Sequence, residues 1–135
     1  MIEIYSNNIN VDENAVVPFN NISIKKGCTA VLSAPSTIQI NKCGIYMIEC
    51  NASAIASADG VVSIQLYKNG IPQPQAQSSA TCANGSNIAV GFATLVQVQQ
   101  SNGYGCCDAP TLLHIVNTGV GVEYDNINVC VTKIC

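Results

Sequence analysis

Residues 44–70 read GIYMIECNASAIASADGVVSIQLYKNG, and the fold class follows from this stretch. Two apolar, β-prone runs, 45–54 and 61–67, flank a bend made of Ser57, Ala58, Asp59 and Gly60. The second run ends in Asn69-Gly70, the dipeptide that best tolerates positive φ at both central positions of a tight hairpin turn. Within that run Val62, Ile64 and Leu66 face one way and Ser63, Gln65 and Tyr67 the other, the period of a half-buried strand. The first run is apolar on both faces, with Tyr46, Ile48 and Cys50 set against Ile45 and Met47. That pattern belongs to a strand covered on both sides.

The flanking sequence continues in the same vein. Residues 1–5 alternate Ile2 and Ile4 against Glu3 and Tyr5, a short strand, and 7–14 is a polar, Asn-rich connection. Short β pieces follow at 16–19, 22–24, 29–32 and 37–40, broken by Pro18, Asn20-Asn21, Lys25-Lys26-Gly27 and Pro35. Residues 71–87 are rich in Pro, Gln, Ser and Ala without periodicity, and predict an exposed connection with one short edge strand at 77–82. Residues 88–98 predict the longest strand. Its even positions are mostly bulky (Ile88, Val90, Phe92, Val96, Val98), while Ala89, Gly91 and Ala93 opposite are small. A face that small lets another backbone approach closely, either the second sheet or another subunit. Residues 101–110 form a turn-rich loop, and 112–116, 122–124 and 127–131 supply the closing strands. No window carries a helical stripe. Eight to ten short strands with turn chemistry between them predict one all-β, two-sheet antiparallel domain over 1–135.

Charged residues make up only 10% of the 135, against about 25% in an ordinary soluble protein. Such a neutral chain is either buried in an oligomer, the reading preferred here, or lives outside the cytosol. A net charge of −3 with five scattered Lys and Arg cannot neutralise a phosphate track, which argues against nucleic acid. No apolar run reaches the roughly 18 residues of a membrane span, so no membrane insertion is expected. The start MIEIYSNNIN has neither the basic region nor the apolar region of a signal peptide.

The eight cysteines are Cys28, Cys43, Cys50, Cys82, Cys106, Cys107, Cys130 and Cys135, and their spacing fits no zinc ribbon or finger. Two readings stay open: disulfides that stiffen an exposed protein, some of them between subunits, or small buried thiols. Adjacent Cys106 and Cys107 would strain a bond to each other, so partners elsewhere or free thiols are expected.

Four short motifs carry a resemblance to the tumour necrosis factor / complement C-one-q superfamily in its bacterial or phage form. They are Val17-Pro18-Phe19; Ile38 and Ile40 leading into Gly44-Ile45-Tyr46; the 62–70 hairpin; and Leu112-Leu113-His114-Ile115-Val116-Asn117 with 128–133 as closing strand. The resemblance implies a jelly roll that assembles as a homotrimer through neutral surface along its axis. It also implies a domain that caps a fibre or stalk, or recognises a partner through its loops. The chain departs from the family in two ways. It has no Gly-X-Y stalk, and its closing strand offers Val129, Val131 and Ile134 in place of the usual Phe.

The catalytic inventory is thin. His114 is the one histidine and sits between Leu113 and Ile115, as a structural strand residue would. A nucleophile–histidine–acid arrangement would have to be built on it, and neither a metalloprotease motif, a phosphate loop nor a nucleophile elbow is present. Cys106, Cys107, Asp108 and His114 make a poor metal set, and the aspartates at 12, 59, 108 and 125 are dispersed. No cofactor, no metal and no enzymatic activity are expected. The expected function is that of a trimeric structural or attachment module on a virion surface, as a head fibre, capsid decoration or tail-fibre tip. Its partners would be itself, a capsid or fibre protein, and a host-surface glycan or protein. A secreted or spore-surface trimer of complement or exosporium type is the alternative. Loops 71–87 and 101–110 are the candidate recognition surfaces, with Gln73, Gln75, Asn84, Asn102 and Tyr104 as their candidate contacts.

Overall fold

The computed structural model describes residues 1–98 and 110–135. In chain order the strands are β1 (Ile2–Val11), β2 (Asn21–Lys25), β3 (Ala30–Ala34), β4 (Thr37–Ile40), β5 (Gly44–Ala56), β6 (Gly60–Lys68), β7 (Ile71–Cys82), β8 (Asn87–Val98), β9 (Thr111–Asn117) and β10 (Val122–Lys133). They form two five-stranded sheets, ordered β2-β1-β10-β5-β8 and β3-β4-β9-β6-β7. Every pairing is antiparallel. β1 and β2 stay in the first sheet, and the chain then changes sheet between β2 and β3, β4 and β5, β5 and β6, β7 and β8, β8 and β9, and β9 and β10, so this is a two-sheet jelly roll.

The core follows from the alternation. Val62, Ile64 and Leu66 of β6 share one core cluster with Ile48, Val129 and Val131 of the first sheet, all with no exposed surface. Burying each such side chain contributes about 1.5–3 kcal/mol. The hairpin at Asn69-Gly70 has φ of 51° and 80°, the positive values its sequence predicts, and it joins β6 to β7. The 57–60 bend does something different, because it carries the chain from β5 in the first sheet to β6 in the second.

Several expectations need correction. The edge strand expected at 77–82 is present but reaches back to Ile71, so 71–82 is one twelve-residue edge strand and 71–76 are not a connection. Its Pro72 and Pro74 fit an edge, where a missing N–H leaves no ladder bond broken. Residues 7–11 continue β1 instead of leaving the sheet, with Asn7 opposite Asn126 and Asn10 opposite Glu123. Among the described residues β5 has 13 residues in its strand and β8 has 12. Residues 16–19 contribute a single bridge, Val16 to Val116. Residues 122–131 form one strand with an irregularity next to Asp125, not two.

Segment 12–20 crosses from the first sheet to the second. The Asn14 N–H donates to the Asn117 carbonyl (2.7 Å) and the Val17 N–H to that of Ile115 (2.8 Å), beside β9 where β4 has ended. Ser6 fastens the return: its Oγ donates to the Pro18 carbonyl (2.8 Å) and accepts from the Asn20 N–H (2.9 Å). Val17 and Phe19 are thereby driven into the core.

Candidate functional site

The outer face of the first sheet is a regular surface whose register can be read row by row. Ala93, Glu49, Cys130 and Glu3 lie side by side across β8, β5, β10 and β1. The next row is Gly91, Asn51, Asn128 and Tyr5, and the one after it Ala89, Ser53, Asn126 and Asn7. Leu95, Met47 and Thr132 continue on the other side. The face is mostly neutral amide, hydroxyl and small apolar groups, with Leu95 53% exposed. The β5 pattern predicts a strand covered on both sides, yet Ile45 and Met47 are only half-buried. Within one chain that cover is missing.

Side-chain hydrogen bonds hold the face in shape. Asn126 Nδ2 donates to Asn7 Oδ1 (2.9 Å), Asn128 Nδ2 to Asn126 Oδ1 (3.1 Å) and Ser53 Oγ to Asn87 Oδ1 (3.1 Å). Gly91 is required by close approach: a Cβ there would lie 2.7 Å from Asn51 Oδ1 and 2.9 Å from the Cys50 carbonyl. The small residues of β8 leave a shallow hollow of about 600 Å³ bordered by Asn51, Ser53, Ser78, Ala89, Gly91 and Asn126.

The residues singled out in the sequence are spread around the molecule. Gln73 and Gln75 come together on β7, where Gln73 Nε2 donates to the Ile71 carbonyl (3.0 Å) and Gln75 Nε2 to Gln73 Oε1 (3.5 Å). Asn84 lies in the β7–β8 turn at the far end of that strand, its N–H bound to Asp59 Oδ1 (2.7 Å). Asn102, Tyr104, Cys106, Cys107 and Asp108 lie outside the described residues. Cys43 is disulfide-bonded, and Cys28, Cys50, Cys82, Cys130 and Cys135 are free. Burial pushes the Cys50 thiol up to about 12, so it stays protonated and unreactive. His114 faces away from the core, with Nε2 3.0 Å from Thr37 Oγ1. Among the described residues no His, Cys, Asp or Glu group of three or more could hold a metal, and no helix is long and apolar enough to cross a membrane.

No family model matches the sequence, and no curated protein does. Solved structures do match. The tumour necrosis factor Eiger from S. frugiperda superposes with a TM-score of 0.74 at 12% identity, over 99% of this chain and 92% of that one. The globular domain of zebrafish complement 1qA protein gives 0.66 at 9%, over 96% and 94%. The fold is the TNF/C1q jelly roll. A third match from within that fold, murine APRIL, gives 0.71 at 7% identity over 98% of both chains. The vertex protein P5 of PRD1 gives 0.63 at 15% identity, over 99% of this chain and 96% of that one. The short motifs at 17–19, 38–46, 62–70 and 112–117 therefore pointed to the right fold. The open face of the first sheet could be anticipated only from the small residues of β8 and the two-sided apolar pattern of β5, because its rows are assembled from four strands distant in sequence.

Proposed function

We propose that this chain is a non-enzymatic, homotrimeric structural and attachment module of a phage particle, in which three copies pack through the open face of the first sheet. The observation that carries the reading is that face: half-buried Ile45 and Met47, exposed Leu95, and the small Ala89, Gly91 and Ala93 where close packing needs them. Its neutrality favours association, since few charges would have to be desolvated. The likeness to a phage vertex protein, end to end in both chains, favours the virion over other settings. Attachment of host-surface glycan or protein would fall to the parts of the molecule that point away from this face.

A secreted or spore-surface recognition trimer is the second reading, favoured by the likeness to the complement 1qA domain. Both readings share the assembly, so the first test is native mass by light scattering, with and without reductant. A trimer in both conditions is the expected result and makes the thiols secondary to packing. A trimer that falls apart on reduction would make interchain disulfides the main fastening, and a monomer throughout would overturn the proposal. Between the readings, co-purification with virions decides for the particle and secretion without virions decides against it.

A further inference from the structure

A second concave site lies on the opposite sheet. On the outer face of β9 and β6, Asn14, Val16, Tyr67, Gly70, His114 and Val116 enclose a hollow of about 260 Å³. The fold builds it from three distant segments. Tyr67 and His114 are direct cross-strand partners, and Thr37 on β4 and Pro72 on β7 extend their row across the sheet. Segment 12–20 supplies the wall, because the Val16–Val116 bridge and the Asn14–Asn117 hydrogen bond hold Asn14 and Val16 beside β9. Val116 is 6% exposed yet stands outside the core cluster, as the floor of this outer hollow. Val16, at 39% exposed, leaves apolar surface open beside it.

We infer that this hollow binds a single neutral sugar ring, the terminal residue of a glycan. Its volume lies below the roughly 300–1,000 Å³ of drug-sized sites, room for one ring rather than a chain. Among the described residues the lining holds no Asp, Glu, Lys or Arg, so an ionic ligand would meet no counter-charge from them. What the lining does hold matches the two-sided chemistry of a pyranose. The Tyr67 ring with Val16 and Val116 suits its C–H face, and the Tyr67 hydroxyl, the Asn14 amide and the His114 imidazole suit its hydroxyls. Thr37 takes His114 Nε2, which fixes the ring and leaves Nδ1 for the ligand. The site lies on the sheet opposite the proposed association face, so sugar binding and assembly stand or fall separately.

The test is a titration of the isotope-labelled full chain with the methyl glycosides of glucose, galactose, mannose and N-acetylglucosamine, read by amide chemical shifts. The expected result is saturable shifts at Asn14, Val16, Tyr67 and His114 with at least one glycoside, at millimolar affinity. Tyr67→Ala should weaken binding by about tenfold or more. Asn14 has φ of 62°, so Asn14→Gly removes the amide without backbone strain and gives a second, folded variant that should also weaken binding. Three results would overturn the assignment: no saturable shift with any of the four, saturable shifts centred elsewhere, or binding that both variants leave unchanged. Tighter binding of an acidic sugar such as a glucuronide would overturn the neutral character of the site.

Discussion

Two buried polar side chains define opposite limits of what a single residue does here. Asn117, at the end of β9, has no exposed surface, and its Nδ2 donates to the carbonyls of Val11 (3.2 Å), Asp12 (3.2 Å) and Val120 (3.0 Å). Its Oδ1 accepts from the Gly119 N–H (3.1 Å). One amide thus ties the end of β1, the crossing segment and the β9–β10 turn. Tyr124 is equally buried, but its hydroxyl has no partner among the described residues, and burial first, then the nearby Cys50, raises its ionisation above the usual phenol range. Leaving buried carbonyls unsatisfied costs about 1–3 kcal/mol each, whereas removing an orphan hydroxyl removes a desolvation penalty. Asn117→Ala is therefore expected to lower stability by about 2–4 kcal/mol. Tyr124→Phe is expected to leave stability unchanged or raise it by up to about 1 kcal/mol. Urea denaturation of both variants checks the pair. A destabilised Tyr124→Phe would mean that the hydroxyl has a partner after all.

At the scale of elements, legibility tracked how much each strand declares itself by burial. β6 was readable because Val62, Ile64 and Leu66 are all fully buried and the turn after it is Asn69-Gly70. β7 was readable only at 77–82, because Ala76 and Cys82 are its only buried residues and the rest, Ile71 and Ala80 apart, is exposed or half-exposed Gln, Ser, Thr and Pro. An edge strand that packs so little against the core leaves no period-two hydrophobic signal. The second half of β1 was hidden by Asn7, Asn8 and Asn10, residues that strands disfavour; Asn7 and Asn10 are held in the ladder here by β10. The sugar-sized hollow was illegible for a third reason: Val16 and Val116 meet only through tertiary bridging. β8 gave its function away through composition, and that can be tested directly. Ala89 is exposed and sits opposite Ser53, so Ala89→Arg leaves the core untouched while setting a long charged chain over the hollow in the association face. Its circular dichroism should match that of the parent, and its native mass should fall to that of a monomer. Thr81→Arg, exposed on β7 of the other sheet, should leave the assembly intact. Retention of the trimer by Ala89→Arg would place the interface elsewhere.

For the whole molecule, the free cysteines form a set of reporters at graded depths. Cys28 and Cys135 are exposed, Cys130 is half-buried on the open face of the first sheet, and Cys50 and Cys82 are buried. Thiolates are the reactive species, so alkylation rates follow access and ionisation together. In a single chain Cys130 has access to reagent from the side where Glu3 and Glu49 flank it. If three copies close over that face, Cys130 loses this access while Cys28, in the β2–β3 connection, keeps it. Alkylation with peptide mapping should therefore find Cys28 modified quickly in the assembled protein, Cys130 slowly and Cys50 not at all. In Ala89→Arg, Cys130 should accelerate toward the rate of Cys28, and Cys50, held protonated in the core, should remain unmodified. Mass alone reports that a trimer forms, whereas Cys130 reports through which face. A trimer in which Cys130 reacts as fast as Cys28 would keep the assembly and reject the open face of the first sheet as its seam.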